Sequence, residues 1–330
     1  MNPTPRQTLK DLLQGTPPRH PLFLPILFNL GAKIENTPLP AYLTNPTKIS
    51  SAQRQIRARV RSDGVACYFD PNLEAEALGA TLEWSEDNQS AAAHWPQNLR
   101  SPEEAAKHPR VTAAAEVIHR LKSLLRDEPL LLAGVSGPFT LAARLTQQSG
   151  RESISSDNLQ DSAVELAAAT ITQIAIKLVE AGADVIFIRE DLLPALTPQT
   201  AETWASTLAP AINIIRFYQA LPVLQITNPQ AFAQNSAAIL QQSWDCTLCP
   251  TLPASEATTF QSAAAQSSAP IGIALPSAAF QSDEPAAETF RQSLHTIIND
   301  VHPALITTAE DVPASTDVKQ LSKLWEEIHR

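Results

Sequence analysis

Apolar runs of three to nine residues recur along the chain, and amphipathic stretches of up to 23 residues separate them. The apolar runs read as buried strands: Leu22 to Leu30, Val65 to Phe69, Leu130 to Ala133, Ala183 to Ile188, Pro222 to Ile226, Cys246 to Leu248, Ile271 to Leu275 and Ala304 to Ile306. The intervening stretches read as helices: a short one over Thr8 to Leu13, one capped by Asn45-Pro46-Thr47 and running through Arg61, then Val111 to Leu125, Asp161 to Ala181, Thr197 to Gln219, Ala231 to Gln242, Ser255 to Gln266, Glu284 to Asn299 and Val318 to Ile328. Leu73 to Leu78 is a further short helical segment, Thr81 to Trp84 an exposed strand, and Gln147 to Gln160 a polar loop. Ser101-Pro102-Glu103-Glu104 opens a helix with an N-cap serine, proline at the first position and acids in the first turn.

Strand and helix alternate about eight times with no linker-like segment between them. The rhythm predicts a single (β/α)8 barrel over residues 1–330, with 1–20 as an N-terminal extension. In such a barrel, chemistry is built at the carboxyl ends of the strands. The segment Leu130 to Leu145, LLLAGVSGPFTLAARL, shows that transition: strand, break at Gly134, turn at Gly137-Pro138, helix from Thr140. Proline suits a first helical turn, and glycine admits close backbone approach.

The 330 residues are 44% hydrophobic and 18% charged, enough for a large core. The formal net charge of −10 disfavours nucleic acid and anionic membrane surfaces as partners. No apolar run reaches the ~20 residues of a membrane span. The opening MNPTPRQTLKDLLQG has no apolar signal core, so a cytoplasmic location is expected. Nine glycines form neither GxGxxG nor GxxxxGK[ST], which argues against a dinucleotide or P-loop site. Three cysteines make no disulfide framework; Cys67 reads as core, and the Cys246/Cys249 pair lacks a second ligand pair for a metal.

Polar residues just past strands are therefore the candidates for function: Asn29, Lys33, Asp70, Asn72, Ser136, Thr140, Arg189, Glu190, Asp191, Gln225, Thr227, Asn228, Cys249, Glu310 and Asp311. Asp70 stands out, either as a site carboxylate or as a helix N-cap, because a carboxylate after a buried strand must be bonded or used. Glu190 is expected to face the pocket, and Arg189 to seal it by an ion pair.

GVSGPFTLAARL from Gly134 to Leu145, FDPNLEAEALG from Phe69 to Gly79, AGADVI from Ala181 to Ile186 and TTAEDVP from Thr307 to Pro313 resemble signature segments of the uroporphyrinogen decarboxylase superfamily. The resemblance implies the same barrel fold and two activities. The first is cofactor-free removal of acetate carboxyl groups from a porphyrinogen, with Asp70 on the pyrrole N–H groups. Against that pattern, the N-terminal arginine motif reads LFNLGAK here, with only Lys33 basic; the family tyrosine falls near Arg144, and the late histidine near Ala309-Glu310. The second is corrinoid-linked methyl transfer, whose wording EAEALG and GPFT are nearer. That branch holds zinc with an HxC pair and a late cysteine. Here those positions read Gln225, Thr227 and Ala309 or Glu310, so no zinc is expected.

The resulting expectation is a methyltransferase-like enzyme on a tetrapyrrole-linked substrate; decarboxylation or a non-catalytic tetrapyrrole-binding barrel are the alternatives. Asp70, Glu190 and Glu310 are the expected catalytic groups. Asn29, Lys33, Asn72, Gly134, Ser136, Gly137, Thr140, Arg144, Gln225 and Asn228 are the expected substrate contacts. No metal and no firm cofactor are expected beyond a corrinoid such as methylcobalamin as methyl donor or acceptor. A small molecule or a corrinoid protein would be the partner, and a homodimer is an open option.

Overall fold

The structure is a computed structural model; it describes residues 3–88, 90–126, 129–147, 161–242, 247–250, 270–276, 294, 298–299, 302–312, 316 and 318–328. Its strands are β1 (Leu22–Leu24), β2 (Gly64–Tyr68), β3 (Thr81–Trp84), β4 (Ala91–His94), β5 (Leu130–Ser136), β6 (Val185–Glu190), β7 (Leu221–Ile226), β8 (Thr247–Pro250), β9 (Ile273–Leu275) and β10 (Leu305–Thr308). β2, β5, β6, β7 and β8 form one parallel ladder in that order, and β1, β10 and β9 form another. Two joints close them into a ring. A parallel bridge links Leu248 to Ile271, and Asp63 reaches Phe23 by its own N–H (2.9 Å to the carbonyl) and by its carboxylate (2.8 Å to the Phe23 N–H). Eight parallel strands thus make the (β/α)8 barrel that the alternation predicts.

The strands read as near-continuous apolar runs because both faces are covered, by the barrel interior and by the helices. Leu130, Leu131, Leu132 and Ala133 are all fully buried, as are Ile186, Phe187, Val223 and Leu224. A second cluster joins β1, β9 and β10 to Ile56 of the helix Pro46–Arg59, to Val60 just past its end, and to Leu321, Leu324 and Ile328 of the last helix, Val318–Ile328.

Several boundaries move for identifiable reasons. Pro25 has no N–H to donate, so β1 stops at Leu24, and Leu30 already belongs to a short helix (Leu30–Ile34). Gly134 does not end its strand; β5 continues to Ser136, and the next helix starts at Pro138. The alanine-rich β4, absent from the sequence reading, pairs antiparallel with β3. The predicted helices Ser255 to Gln266 and, for most of its length, Glu284 to Asn299 lie outside the described residues. So does Cys246, and nothing is described of the Cys249 side chain.

In the N-terminal segment, helix Pro5–Leu13 buries Leu9 and Leu12 in the main core, and Arg6 pairs with Asp184 at 2.8 Å. Asp184 also accepts the Leu131 N–H, so this carboxylate ties the start of β5 to the helix. The helix Asp161–Glu180 is, contrary to the sequence reading, long and apolar enough to span a bilayer. Its stripe of Val164, Ala167, Ile171, Ile174 and Leu178 is spent on the barrel core.

A cavity at the ladder centre has no room to relax in so dense a core. Leu132→Ala is expected to cost about 2–5 kcal/mol in urea-induced unfolding, with an unchanged denaturant slope.

Candidate functional site

The turn from β5 into the helix Pro138–Gln147 is fastened by two buried carboxylates. Glu74, fully buried, accepts the Ser136 N–H and hydroxyl, both at 2.9 Å. Glu190, also fully buried, accepts four bonds: Phe139 N–H (3.2 Å), Thr140 N–H (2.8 Å), Thr140 hydroxyl (2.6 Å) and the Trp204 indole N–H (2.8 Å). Two of these donors are amides at a helix N-terminus, which favours negative charge there. Burial raises the pKa of both carboxyls, and the hydrogen bonds oppose that rise.

The glycines follow from this arrangement. A Cβ on Gly137 would lie 2.1 Å from the Glu190 carboxyl carbon, and one on Gly134 would lie 2.6 Å from the Phe69 ring. Gly134, Ser136, Gly137 and Thr140 are therefore structural parts of the wall, and among the described residues none of them lines either of two cavities that open at the mouth. The expected pocket-facing role of Glu190 is corrected in the same way: its oxygens point into the turn, where four donors satisfy them.

Asp70 follows β2 and is not the helix N-cap that the sequence also allows: the helix Leu73–Ala77 is capped at Asn72, without a side-chain bond. Asp70 Oδ1 accepts the Asn72 N–H at 3.1 Å, and its Oδ2 pairs with the Arg110 guanidinium. Arg110 also pairs with Glu76 and donates to the Tyr68 hydroxyl at 3.2 Å, which in turn donates to the Leu43 carbonyl at 2.8 Å. Burial raises the Asp70 pKa, with Arg110 pulling it back. Burial alone would lower that of Arg110, but the Asp70 charge offsets this and keeps the guanidinium protonated. Arg110 escaped the sequence reading, although one signal was present. It is a cation in the first turn of its helix, where the dipole disfavours positive charge, so a nearby acid had to hold it.

Two adjoining cavities open at this end of the barrel and share Asn29 and Pro71. One, of about 560 Å³, has Asp70, Asn72 and Arg144 on one side and Trp84 and Trp95 on the other. The second, of about 780 Å³, is lined by Arg189, Asp191, Thr227, Asn228, Glu310 and Asp311 among others. Between them Arg144 bonds the Pro71 carbonyl and approaches Asp191 at 3.5 Å; Asp191 also accepts the Thr227 hydroxyl at 2.8 Å. Arg189 donates to the Ala309 carbonyl at 3.2 Å and lies 3.7 Å from Asp191, the sealing ion pair expected of it.

The predicted contacts divide accordingly. Asn29, Asp70, Asn72, Arg144, Asn228 and Glu310 line the mouth. The Asn228 side chain is also the N-cap of its helix, accepting the Gln230 and Ala231 N–H groups. Gln225 is fully buried, and Lys33 is exposed on its short helix without lining either cavity. Asp311, beside the expected Glu310, is the more distinctive acid. Its Oδ2 accepts the Asn29 N–H at 2.8 Å, its Oδ1 is buried without a hydrogen bond of good geometry among the described residues, and burial pushes its pKa up to about 8 against the pull of the Asn29 N–H, Arg189 and the Phe28 N–H.

The zinc positions of the methyltransferase-like branch do converge: the Gln225 side-chain amide donates to the Thr308 and Ala309 carbonyls at 2.9 and 3.3 Å. An amide committed to two carbonyls next to an alanine does not suit zinc. No cluster of three or more His, Cys, Asp or Glu side chains able to hold a metal occurs among the described residues. Cys67 is fully buried and its thiol pKa is pushed up, as fits a core residue.

A family model for uroporphyrinogen decarboxylase matches residues 4–330. The chain belongs to the uroporphyrinogen decarboxylase family. Among curated proteins, none matches it significantly. Of solved structures, a methyltransferase from Methanosarcina mazei is similar with a TM-score of 0.79 at 15% identity, covering 99% of this chain and 98% of that one. A B12-independent methionine synthase from Shewanella sp. W3-18-1, solved with selenomethionine, is similar with a TM-score of 0.57 at 12% identity, covering 88% of each chain. At these identities the likeness shows the shared fold.

Two outcomes follow from the site. Gly137→Ala sets a methyl against the Glu190 carboxylate and is expected to lower stability by about 1–3 kcal/mol in chemical denaturation. Folded Asp311 keeps its proton to about pH 8, whereas an unfolded aspartate releases it near pH ~4. The folded state therefore holds the extra proton across that window, and its contribution to stability falls as pH rises from about 4 to about 8. Asp311→Asn has no such proton to lose and should flatten part of the decline, as read from melting temperatures across that range.

Proposed function

We propose that this chain is a group-transfer enzyme of its family acting on a tetrapyrrole-linked substrate, moving a methyl group between a small molecule and a corrinoid delivered by a partner protein, without zinc. The pairing of Asp70 with Arg110 carries this reading over decarboxylation. In the decarboxylase pattern that aspartate receives pyrrole N–H groups; here one oxygen is held by a guanidinium and the other by the Asn72 amide. A substrate rich in carboxylates would also need several cations at the mouth. Among the described lining residues these are Arg144 and Arg189, both already turned toward Asp191.

What supports this reading at the mouth is Asp311, whose pKa burial pushes up to about 8 and which lies beside Arg189 on the wall of the larger cavity. When a methyl group leaves a substrate oxygen or nitrogen, that atom keeps the bonding electron pair and needs a proton, which Asp311 would give. In the reverse direction the Asp311 carboxylate takes a proton from an acceptor such as a thiol. A corrinoid, when bound, supplies the cobalt that gives or takes the methyl group. Neither cavity has a histidine or cysteine among its described lining residues, so the corrinoid is read as a co-substrate rather than as a cofactor ligated by this chain.

The test is to mix the purified protein with methylcobalamin and a panel of thiol acceptors, and with reduced cobalamin and methylated donors, following the corrinoid absorbance. Methyl transfer is expected, and Asp311→Asn should slow it by about 10²–10⁴-fold with little change in substrate affinity. Absence of any methyl transfer would sink the proposal. So would conversion of uroporphyrinogen to coproporphyrinogen that is lost in Asp70→Asn.

A further inference from the structure

The hairpin of β3 and β4 stands outside the barrel ladder, paired only within itself among the described strands. A lone two-stranded hairpin is marginal in water, so its side-chain anchorage matters. Its two faces are unlike. The outer face carries Thr81, Glu83, Ala92 and His94, with the His94 ring hydrogen-bonded to the Glu83 carboxylate at 2.8 Å. The inner face carries Leu82 opposite Ala93 and Trp84 opposite Ala91, so each large side chain faces a bare methyl group across the strands. Trp95 follows directly. Both indoles pack partly against the main core and line the 560 Å³ cavity, as do both alanines of the inner face.

Two of the five tryptophans in the chain thus wall one cavity. Small residues across from a large aromatic leave open volume beside its ring. The single described cation on that cavity is Arg144, held by the Pro71 carbonyl and, loosely, by Asp191 at 3.5 Å. A guanidinium with only these contacts keeps N–H donors for a planar anion.

From this placement we infer that the hairpin is a specificity element: Trp84 and Trp95 form a stacking wall that selects a planar conjugated ring, whose carboxylate pairs with Arg144. A cavity of this size takes a ligand of one or two fused rings. The aromatic faces favour flat partners over puckered ones of equal area. The inference rests on the mouth being the substrate site, and it names Trp84 and Trp95 as determinants of what enters.

Isothermal titration with naphthalene-2-carboxylate and with its saturated counterpart of like size, decahydronaphthalene-2-carboxylate, tests it. The flat acid should bind at least about threefold more tightly, Trp84→Leu and Trp95→Leu should each weaken it about three- to tenfold, and Trp84→Phe should stay close to wild type. Arg144→Gln should weaken both acids. In the unaltered protein, titration with the flat acid should also quench tryptophan fluorescence, a readout that needs no variant. The inference is overturned if the two acids bind equally, if the flat acid neither binds nor quenches, or if leucine and phenylalanine at Trp84 act alike. The methyl-transfer assay is read separately. Transfer that proceeds while ring selectivity is absent removes this inference alone; ring selectivity without transfer removes the functional proposal alone.

Discussion

One fully buried carboxylate organises the top of this barrel. Glu190 ends β6, and its two oxygens gather the start of the helix Pro138–Gln147, which follows β5, and the indole of Trp204, which belongs to the helix Pro198–Phe217 that follows β6. A charge so placed is costly unless every lone pair finds a donor. Here four donors converge, two of them from a helix N-terminus. The strand end, the glycine turn and two helices are consequently held in one geometry. The same demand excludes a side chain at residue 137.

Around that fixed wall, polar groups at the mouth divide into those consumed by the fold and those left over. Glu74 is consumed by Ser136, and Asp70 by Arg110 and Asn72. Asn228 caps its own helix. Asp311 and Arg189 are incompletely consumed: Asp311 Oδ1 and Arg189 Nε are buried without a hydrogen-bond partner among the described residues. Groups in that condition hold chemistry in reserve, and they sit on the cavity wall rather than in the turn.

The barrel was legible in the chain because parallel strands, covered on both faces, leave uninterrupted apolar runs that alternate with amphipathic ones. The glycine turn was legible as a backbone requirement, but its cause was not. Periodicity shows that residue 137 is tight, yet the Glu190 carboxylate that makes it tight lies fifty-odd residues on, and only the fold brings the two together. The same limit explains Glu190 itself. A strand-end position is compatible with facing the mouth or facing the turn, and the choice is made by donors from other segments. Arg110 shows the opposite case, where a local conflict with the helix dipole marked a residue whose partner was remote. The hairpin was half visible: Thr81 to Trp84 alternates, whereas β4 is three alanines and a histidine, a composition that carries no strand signal of its own.

The seam where the barrel closes has a consequence for how the chain is made. β1 pairs in parallel with β10, Leu22 against Leu305, while its other neighbour, β2, is joined through Asp63 rather than through a full ladder. Leu22 leaves the ribosome long before Leu305. The first strand therefore has to wait for its main partner until the other strands of the ring have been made. Meanwhile β2, β5, β6, β7 and β8 can join in the order in which they emerge. An apolar strand waiting that long is the segment on which a chaperone, or a neighbouring nascent chain, would first act.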